Sequence, residues 1–366
     1  MSSIVFNKLK NRVLFVNMLL MLCLLAAAVG CSGAKKDTPA ENKTVKPGAR
    51  HGNGIYWWKT VFNPNRNELE FLKQHSIKRV YVKFFDVVPY SGEDDYIAPV
   101  ATVRFDSPKP DGVEIVPVVF ISTKAVRRMA DIGGGAEKIV KRVRNMASYN
   151  NLGEVKELQL DCDYSWRDAG AFNNLCNEVR KLIGDSVVLS ATIRVSQLKN
   201  TSSLPPVDRG VLMLYNTGSF KNYYSKNSIL SSEDVELYLK DSGDFGLPLD
   251  LAFPAYRWGL WFDGLNTFNA ILHTSDFSDT TLYSAINGTN RLSVNKDHFV
   301  DGQHIRKGDK IRPEVSDYNE IMKTKKLVFN ALKDNCRDII LFHLGSAQLN
   351  QFNANEIDSI YNCSIN

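Results

Sequence analysis

The sequence predicts an α/β protein, a single (β/α)8 TIM barrel with an insertion after the seventh strand. Three observations carry this reading. Strand-like and helix-like segments alternate along the chain, which requires a parallel sheet. Eight strand-like segments occur, most of them followed by a helix. After the N-terminal segment roughly 315 residues remain, enough for one large domain with a buried core. A doubly wound open sheet is the alternative. It does not need eight strands, and no glycine-rich phosphate loop follows a strand here.

Ile55–Phe62 reads as the first strand, and Asn65–His75 as a helix with Leu69 and Leu72 on one face. Lys78–Val88 is the second strand, and a strand-like detour at Val100–Asp106 leads to the third, Glu114–Ser122. A long helical zone follows: Lys124–Ile132, a break at Gly133-Gly134-Gly135, then Ala136–Ser148. The glycines lie between helical segments and read as a hinge or cap. Glu154–Asp163 is the fourth strand and Ala169–Ile183 its helix. Ser186–Val195 and Gly210–Tyr215 are the fifth and sixth strands. The helix Ser232–Lys240 precedes the seventh strand, Leu249–Tyr256. A turn-rich excursion over about 262–315 leads to the helix Tyr318–Lys333. Asp338–Leu344 is the eighth strand, closed by a short helix at Asn355–Tyr361.

The first thirty residues are a targeting segment and stand outside the fold. Lys8, Lys10 and Arg12 precede an apolar run from Val13 through Ala28, and small residues lead to Cys31. Ala28-Val29-Gly30-Cys31 resembles a bacterial lipobox, which implies acylation of Cys31 and a lipid-anchored protein of the bacterial cell envelope, with the outer membrane the expected site. An uncleaved transmembrane anchor is the rival reading. Residues 31–50 carry no apolar period and read as a flexible tether, leaving 51–366 for the barrel.

Of 45 basic side chains, the segment before Cys31 holds three and no acid, leaving 42 against 40 acidic. The basicity is therefore mostly export signal, and nothing argues for a nucleic-acid partner. The six cysteines show no CxxC or metal-ligand spacing. Cys162 points outward from its strand toward the helix carrying Cys176. Disulfides among Cys162, Cys176, Cys336 and Cys363 and buried free thiols are both open. No metal, nucleotide or redox cofactor is implied.

The fourth strand is the most informative stretch. Alternation places Gln159, Asp161 and Asp163 on one face and Leu158, Leu160 and Cys162 on the other. Two acids ending a buried strand are costly unless something uses or satisfies them. Either they are a helix-capping or loop-tying pair, or they belong to a site, because barrel active sites form at the C-terminal strand ends. The other strand ends then converge on them. Trp57 comes from the first strand, Lys83 and Asp86 from the second, Arg194 from the fifth, and Tyr215 and Asn216 from the sixth. Tyr256, Arg257 and Trp258 come from the seventh. Trp58 and Lys59 come with Trp57 from the first strand, and His343 comes from the eighth. Of Trp57 and Trp58 only one ring can line a pocket, and His343 also reads as a core histidine. Aromatic rings with central carboxylates suit a sugar, whose C–H faces stack while its hydroxyls are gripped.

At these residues the chain resembles a family. Leu158–Asp163 is similar to the fourth-strand signature of glycoside hydrolase family 18, the chitinases and endo-β-N-acetylglucosaminidases. Met213-Leu214-Tyr215-Asn216 resembles that family's sixth-strand motif, and Phe253-Pro254-Ala255-Tyr256-Arg257-Trp258 its seventh-strand segment. The resemblance implies Asp163 as general acid, Asp161 orienting the substrate's acetamido group, and Tyr215 holding it, the acetamido oxygen being the nucleophile. There are departures. Asp163 stands where the family has glutamate, and Gln159 where it has aspartate. Glu157 and Cys162 occupy positions of glycine and an aromatic. Three functions follow as expectations: a glycoside hydrolase acting on N-acetylhexosamine-containing glycans, an inactive glycan-binding lipoprotein using the same cleft, or an interaction protein that binds no sugar.

Overall fold

The computed structural model describes residues 52–90, 97–239, 245–273, 276–332, 336–345 and 349–363, without the side chains of 336 and 337. The expected targeting segment and tether, with Cys31, lie outside the described residues.

Eight parallel strands form the ring: β1 (Gly54–Trp57), β2 (Arg79–Pro89), β3 (Glu114–Ile121), β4 (Glu157–Asp161), β5 (Val188–Arg194), β6 (Arg209–Met213), β7 (Leu249–Pro254) and β8 (Cys336–Phe342). Each pairs with its neighbour in sequence. Gly54 pairs with both Arg79 of β2 and Ile340 of β8, which closes the barrel.

Side-chain alternation divides the strands between two apolar environments. Tyr56, Tyr81, Val116, Val118, Val211 and Ile340 point into the barrel. Ile55, Trp57, Leu158, Leu160, Ile193 and Phe253 point out, into the layer covered by helices. One irregularity matters for the site. A bulge between Lys83 and Phe85 interrupts the β2–β3 register. Phe84 and Phe85 both join the outer layer, so Lys83 and Asp86, three residues apart, face inward together. At the N-terminal end the interior is charged: Arg79 bonds Glu157 (3.2 Å) and Asp338 (2.8 Å), and Arg209 bonds Glu157.

The helices follow their strands, with two adjustments to the sequence reading. In α1 (Arg66–Gln74), Leu72 is buried but Leu69 is 41% exposed. Glu68 takes the inward place because it closes a capping box with Asn65 and pairs with Lys59 at 2.7 Å. In the β3–β4 connection, the break between α2 (Thr123–Arg128) and α3 (Ile132–Tyr149) falls before the glycine run, not on it. Asp131 caps α3 by accepting from Gly134 N–H at 2.8 Å. A Cβ on Gly134 would lie 2.2 Å from that carboxylate, so the glycine makes room for the cap. Finally, α4 (Ala169–Ile183), α5 (Ser232–Leu239), α6 (Tyr318–Leu332) and α7 (Ala354–Tyr361) complete the outer layer.

The excursion after β7 is more ordered than turn-rich composition implies. It begins at Arg257 and builds a five-stranded antiparallel sheet ending at Val315, plus a two-stranded pair, over its own small core of Leu272, Phe277, Tyr283, Val294, Ile305 and Ile311. It also holds the loop after β6: buried Arg312 donates to the carbonyls of Asn222 (2.5 Å) and Tyr223 (3.0 Å), and Glu314 accepts from Ser228 N–H (2.9 Å). Cys162 and Cys176 are buried free thiols. Among the described residues, no helix is long and apolar enough to cross a membrane.

Candidate functional site

A cavity of about 370 Å³ opens at the C-terminal end of the barrel. That is within the range of sites for small ligands. Its floor is aromatic. Phe342, the last inward residue of β8, packs against Tyr56 (5.5 Å), Trp58 (5.5 Å) and Tyr215 (5.0 Å, stacked).

The inner face of β4 is a column of polar groups whose outer members, Asp161 and Asp163, line this cavity. Glu157 is deepest, held by Arg79, Arg209 and Ser190. Gln159 accepts from the Tyr56 hydroxyl at 2.7 Å and donates to Ser190 at 3.4 Å. Asp161 lines the cavity, 7% exposed, and accepts from Thr192 Oγ1 at 2.6 Å. Burial pushes its carboxyl up to about 7, helped by the nearby Asp163 and Asp86 and opposed by the Thr192 hydrogen bond. Asp163, just past the strand end, is 59% exposed at the mouth, its Oδ1 3.9 Å from Arg194 Nε. Arg194 is itself oriented by the Tyr164 carbonyl at 2.7 Å.

Tyr215 and Asn216 arrive from the end of β6. Burial and the neighbouring Asp161 push the Tyr215 phenol well above its usual range, so it remains a hydrogen-bond donor beside the acids. Asn216 sits in the left-handed region (φ 53°), which asparagine tolerates, and accepts from Tyr256 OH at 2.7 Å.

Several sequence candidates lie elsewhere. Trp57 is 1% exposed in the outer layer, its Nε1 donating to Val61 O at 3.0 Å. Trp58 is the ring that lines the cavity, because β1 turns Tyr56 and Trp58 inward. Lys59 turns away to Glu68 and stacks over Trp57. His343 does not line the cavity, and burial lowers it to about 4, so it is neutral. Arg257 and Trp258 begin the inserted sheet, Trp258 Nε1 donating to Glu314 at 2.8 Å. Tyr256 is 7% exposed and buttresses Tyr215, Phe342 and Asn216 from behind. Lys83 and Asp86 pair at 2.9 Å outside the cavity lining, close enough for both to act on Asp161 electrostatically.

Sequence reasoning missed Phe342 and Thr192. The signal was alternation: Asp338, Ile340 and Phe342 share one face of β8, and Ser190, Thr192 and Arg194 one face of β5. Among the described residues no cluster of His, Cys, Asp or Glu is arranged to hold a metal ion.

No protein-family model matches the chain, and no curated protein matches it. Solved structures do. A chitinase from Chromobacterium violaceum matches at a TM-score of 0.52 and 12% identity, over 84% of this chain and 97% of that one. The spore cortex-lytic enzyme SleL of Bacillus cereus matches at 0.50 and 13%, over 86% and 76%. A chitinase from Bacteroides thetaiotaomicron matches at 0.50 and 10%, over 86% and 97%. At these identities the likeness establishes a shared barrel fold.

Proposed function

We propose that the cavity binds the N-acetylhexosamine unit of a glycan and hydrolyses its glycosidic bond, on a protein held in the bacterial envelope by a lipid on Cys31. One observation carries the reading. A desolvated carboxyl, Asp161, stands over an aromatic floor at the C-terminal end of a barrel, with a second carboxyl, Asp163, two residues further toward solvent. The fold shared with chitinases supports it.

In this reading the sugar ring lies on Phe342 and Trp58, and its acetamido group meets Asp161 and Tyr215. Asp163 protonates the leaving oxygen as the acetamido oxygen closes on the anomeric carbon. Water then opens the cyclic intermediate and returns a proton to Asp163.

A second reading, glycan binding without turnover, is favoured by Asp163 itself. It is one methylene shorter than the glutamate of the motif it resembles, and its carboxylate is 59% exposed. A misplacement of about 1 Å costs about 100-fold in rate. Aryl N-acetylglucosaminides and chitin oligosaccharides separate the readings. Hydrolysis abolished by Asp163→Asn supports the enzyme, and calorimetric binding with no product supports the binder. Absence of both sinks the proposal.

A further inference from the structure

We infer that Arg194 recognises a carboxylate carried by the sugar in the cavity, so that the preferred ligand is an acidic N-acetylhexosamine; this rests on the glycan reading above. Among the described residues that line the cavity, Arg194 is the one cation. Lys83, the other cation that acts on Asp161, is engaged by Asp86 at 2.9 Å. The phase of β5 places Arg194. Ser190, Thr192 and Arg194 share its inner face, and Thr192 Oγ1 bonds Asp161 at 2.6 Å. Arg194 therefore stands one step of alternation beyond that pair, roughly 7 Å nearer the mouth. A pyranose whose acetamido group meets Asp161 spans a comparable distance, so a substituent on the same ring reaches the guanidinium.

The guanidinium is oriented but not used up. Nη2 donates to the Tyr164 carbonyl at 2.7 Å, which fixes the plane of the fork. Among the described residues Nε has no hydrogen-bond partner, and Nη1 makes no hydrogen bond although the side chain is 39% exposed. Asp163 does not complete it. Its nearest oxygen lies 3.9 Å from Nε, beyond hydrogen bonding, and its side chain is 59% exposed. An ion pair that open contributes little to stability, so holding Asp163 does not account for the arginine. A planar fork fixed by the protein and left with open donors at a cleft matches the two oxygens of a carboxylate. Lys199 adds positive charge to the same corner. Its Nζ lies 4.8 Å from the ring centroid of Tyr238, which also lines the cavity.

The test uses three sugars without a glycosidic bond to cleave: N-acetylglucosamine, N-acetylmuramic acid, which adds a lactyl carboxylate to the same ring, and the methyl ester of that acid, which keeps the size and removes the charge. Titration at about pH 5.5 keeps Asp161 protonated, so that it does not repel the ligand. Tryptophan fluorescence reports occupancy, since Trp58 lines the cavity. The acid should bind about tenfold more tightly than its ester. Arg194→Gln should bring the acid down to the ester, and Arg194→Lys should keep part of the difference, because an ammonium supplies charge without the fork. Raising salt to about 0.5 M should shrink the difference in the unaltered protein. An arginine that only steadied Asp163 would change acid and ester alike. Equal affinity for acid and ester, or a ratio untouched by Arg194→Gln, overturns carboxylate recognition and leaves the cavity reading standing. If none of the three sugars binds, the cavity reading falls, and carboxylate recognition with it.

Discussion

Replacing Asp161 by asparagine should make the protein more stable, and increasingly so as the pH rises. The carboxyl is 7% exposed, and burial raises it from 3.8 to about 7. Its folded-state value lies above its unfolded one, so the folded protein holds this proton more tightly. Stability from this group is fully present below about pH 4 and is lost as pH rises through about 7. Three units correspond to about 4 kcal/mol of penalty on the ionised form, reached above neutrality. From about pH 5.5 to about pH 8.5 the penalty grows by about 2 kcal/mol and then levels off. Asparagine keeps an acceptor for Thr192 Oγ1, now at 2.6 Å from the carboxylate, and removes the titration. Urea denaturation of both proteins across that interval measures the difference directly. The advantage of Asp161→Asn should be larger by about 2 kcal/mol at the alkaline end. A difference that stays constant within about 0.5 kcal/mol refutes the reasoning, because it means that the carboxyl is solvated as well in the folded chain as in the unfolded one.

Trp58→Ala should keep the fold and weaken glycan binding by tenfold or more, about 1.4 kcal/mol by calorimetry, whereas Trp57→Ala should cost about 3–5 kcal/mol in urea without reaching the cavity. Asp163→Glu supplies the missing methylene. If reach limits turnover, hydrolysis of an aryl N-acetylglucosaminide should rise by up to about 100-fold, and an unchanged rate would count for the binding reading. Glu314→Gln should destabilise by about 3 kcal/mol, because it leaves Arg312 buried without its counter-charge. The same variant should shift the fluorescence of Trp258, whose Nε1 it holds. Cys31→Ser should move the protein from the membrane fraction to the soluble one on cell fractionation. Retention in the membrane would argue against a lipid anchor.

The ring of strands was legible because each strand carries its own signal of β-branched and aromatic residues punctuated by turns. Ala169–Ile183 was legible to the residue, since its apolar positions recur at helical spacing and Gly184 ends it at positive φ. What stayed hidden depends on partners far away in the chain. Nothing local to Leu69 says that Glu68 will be drawn inward by Lys59 and Asn65. The inserted sheet was missed because its strands are three to six residues long and depend on cross-strand partners up to 58 residues distant, as Arg257 is from Val315. At the site, position was legible and direction was not. Strand ends were found, but Trp57 and Arg257 were chosen by chemistry; the phase of alternation selects Trp58, and on the eighth strand Phe342 rather than His343, which the sequence also read as a core histidine. The β2 bulge shows why phase alone is also insufficient: strict alternation would have separated Lys83 from Asp86, and one extra residue joins them.

The polar column on β4 gives the strongest reason to place function at this end of the barrel. Its four members differ in what the protein already does with them. Glu157 is spent on two arginines, and Gln159 on Tyr56 and Ser190. Both are buried and satisfied, as polar groups in a barrel core must be. Among the described residues Asp161 has one hydrogen bond, from Thr192, and is desolvated with no cation at bonding distance, since Lys83 is engaged by Asp86. Asp163 faces solvent with only a distant arginine. Satisfaction therefore falls along the strand toward the mouth, and at Asp161 it falls faster than solvent exposure rises. A carboxyl left buried and incompletely partnered is a cost that folding alone does not explain. A ligand that donates a hydrogen bond into the cavity would complete it, which is what the N–H of an acetamido group offers.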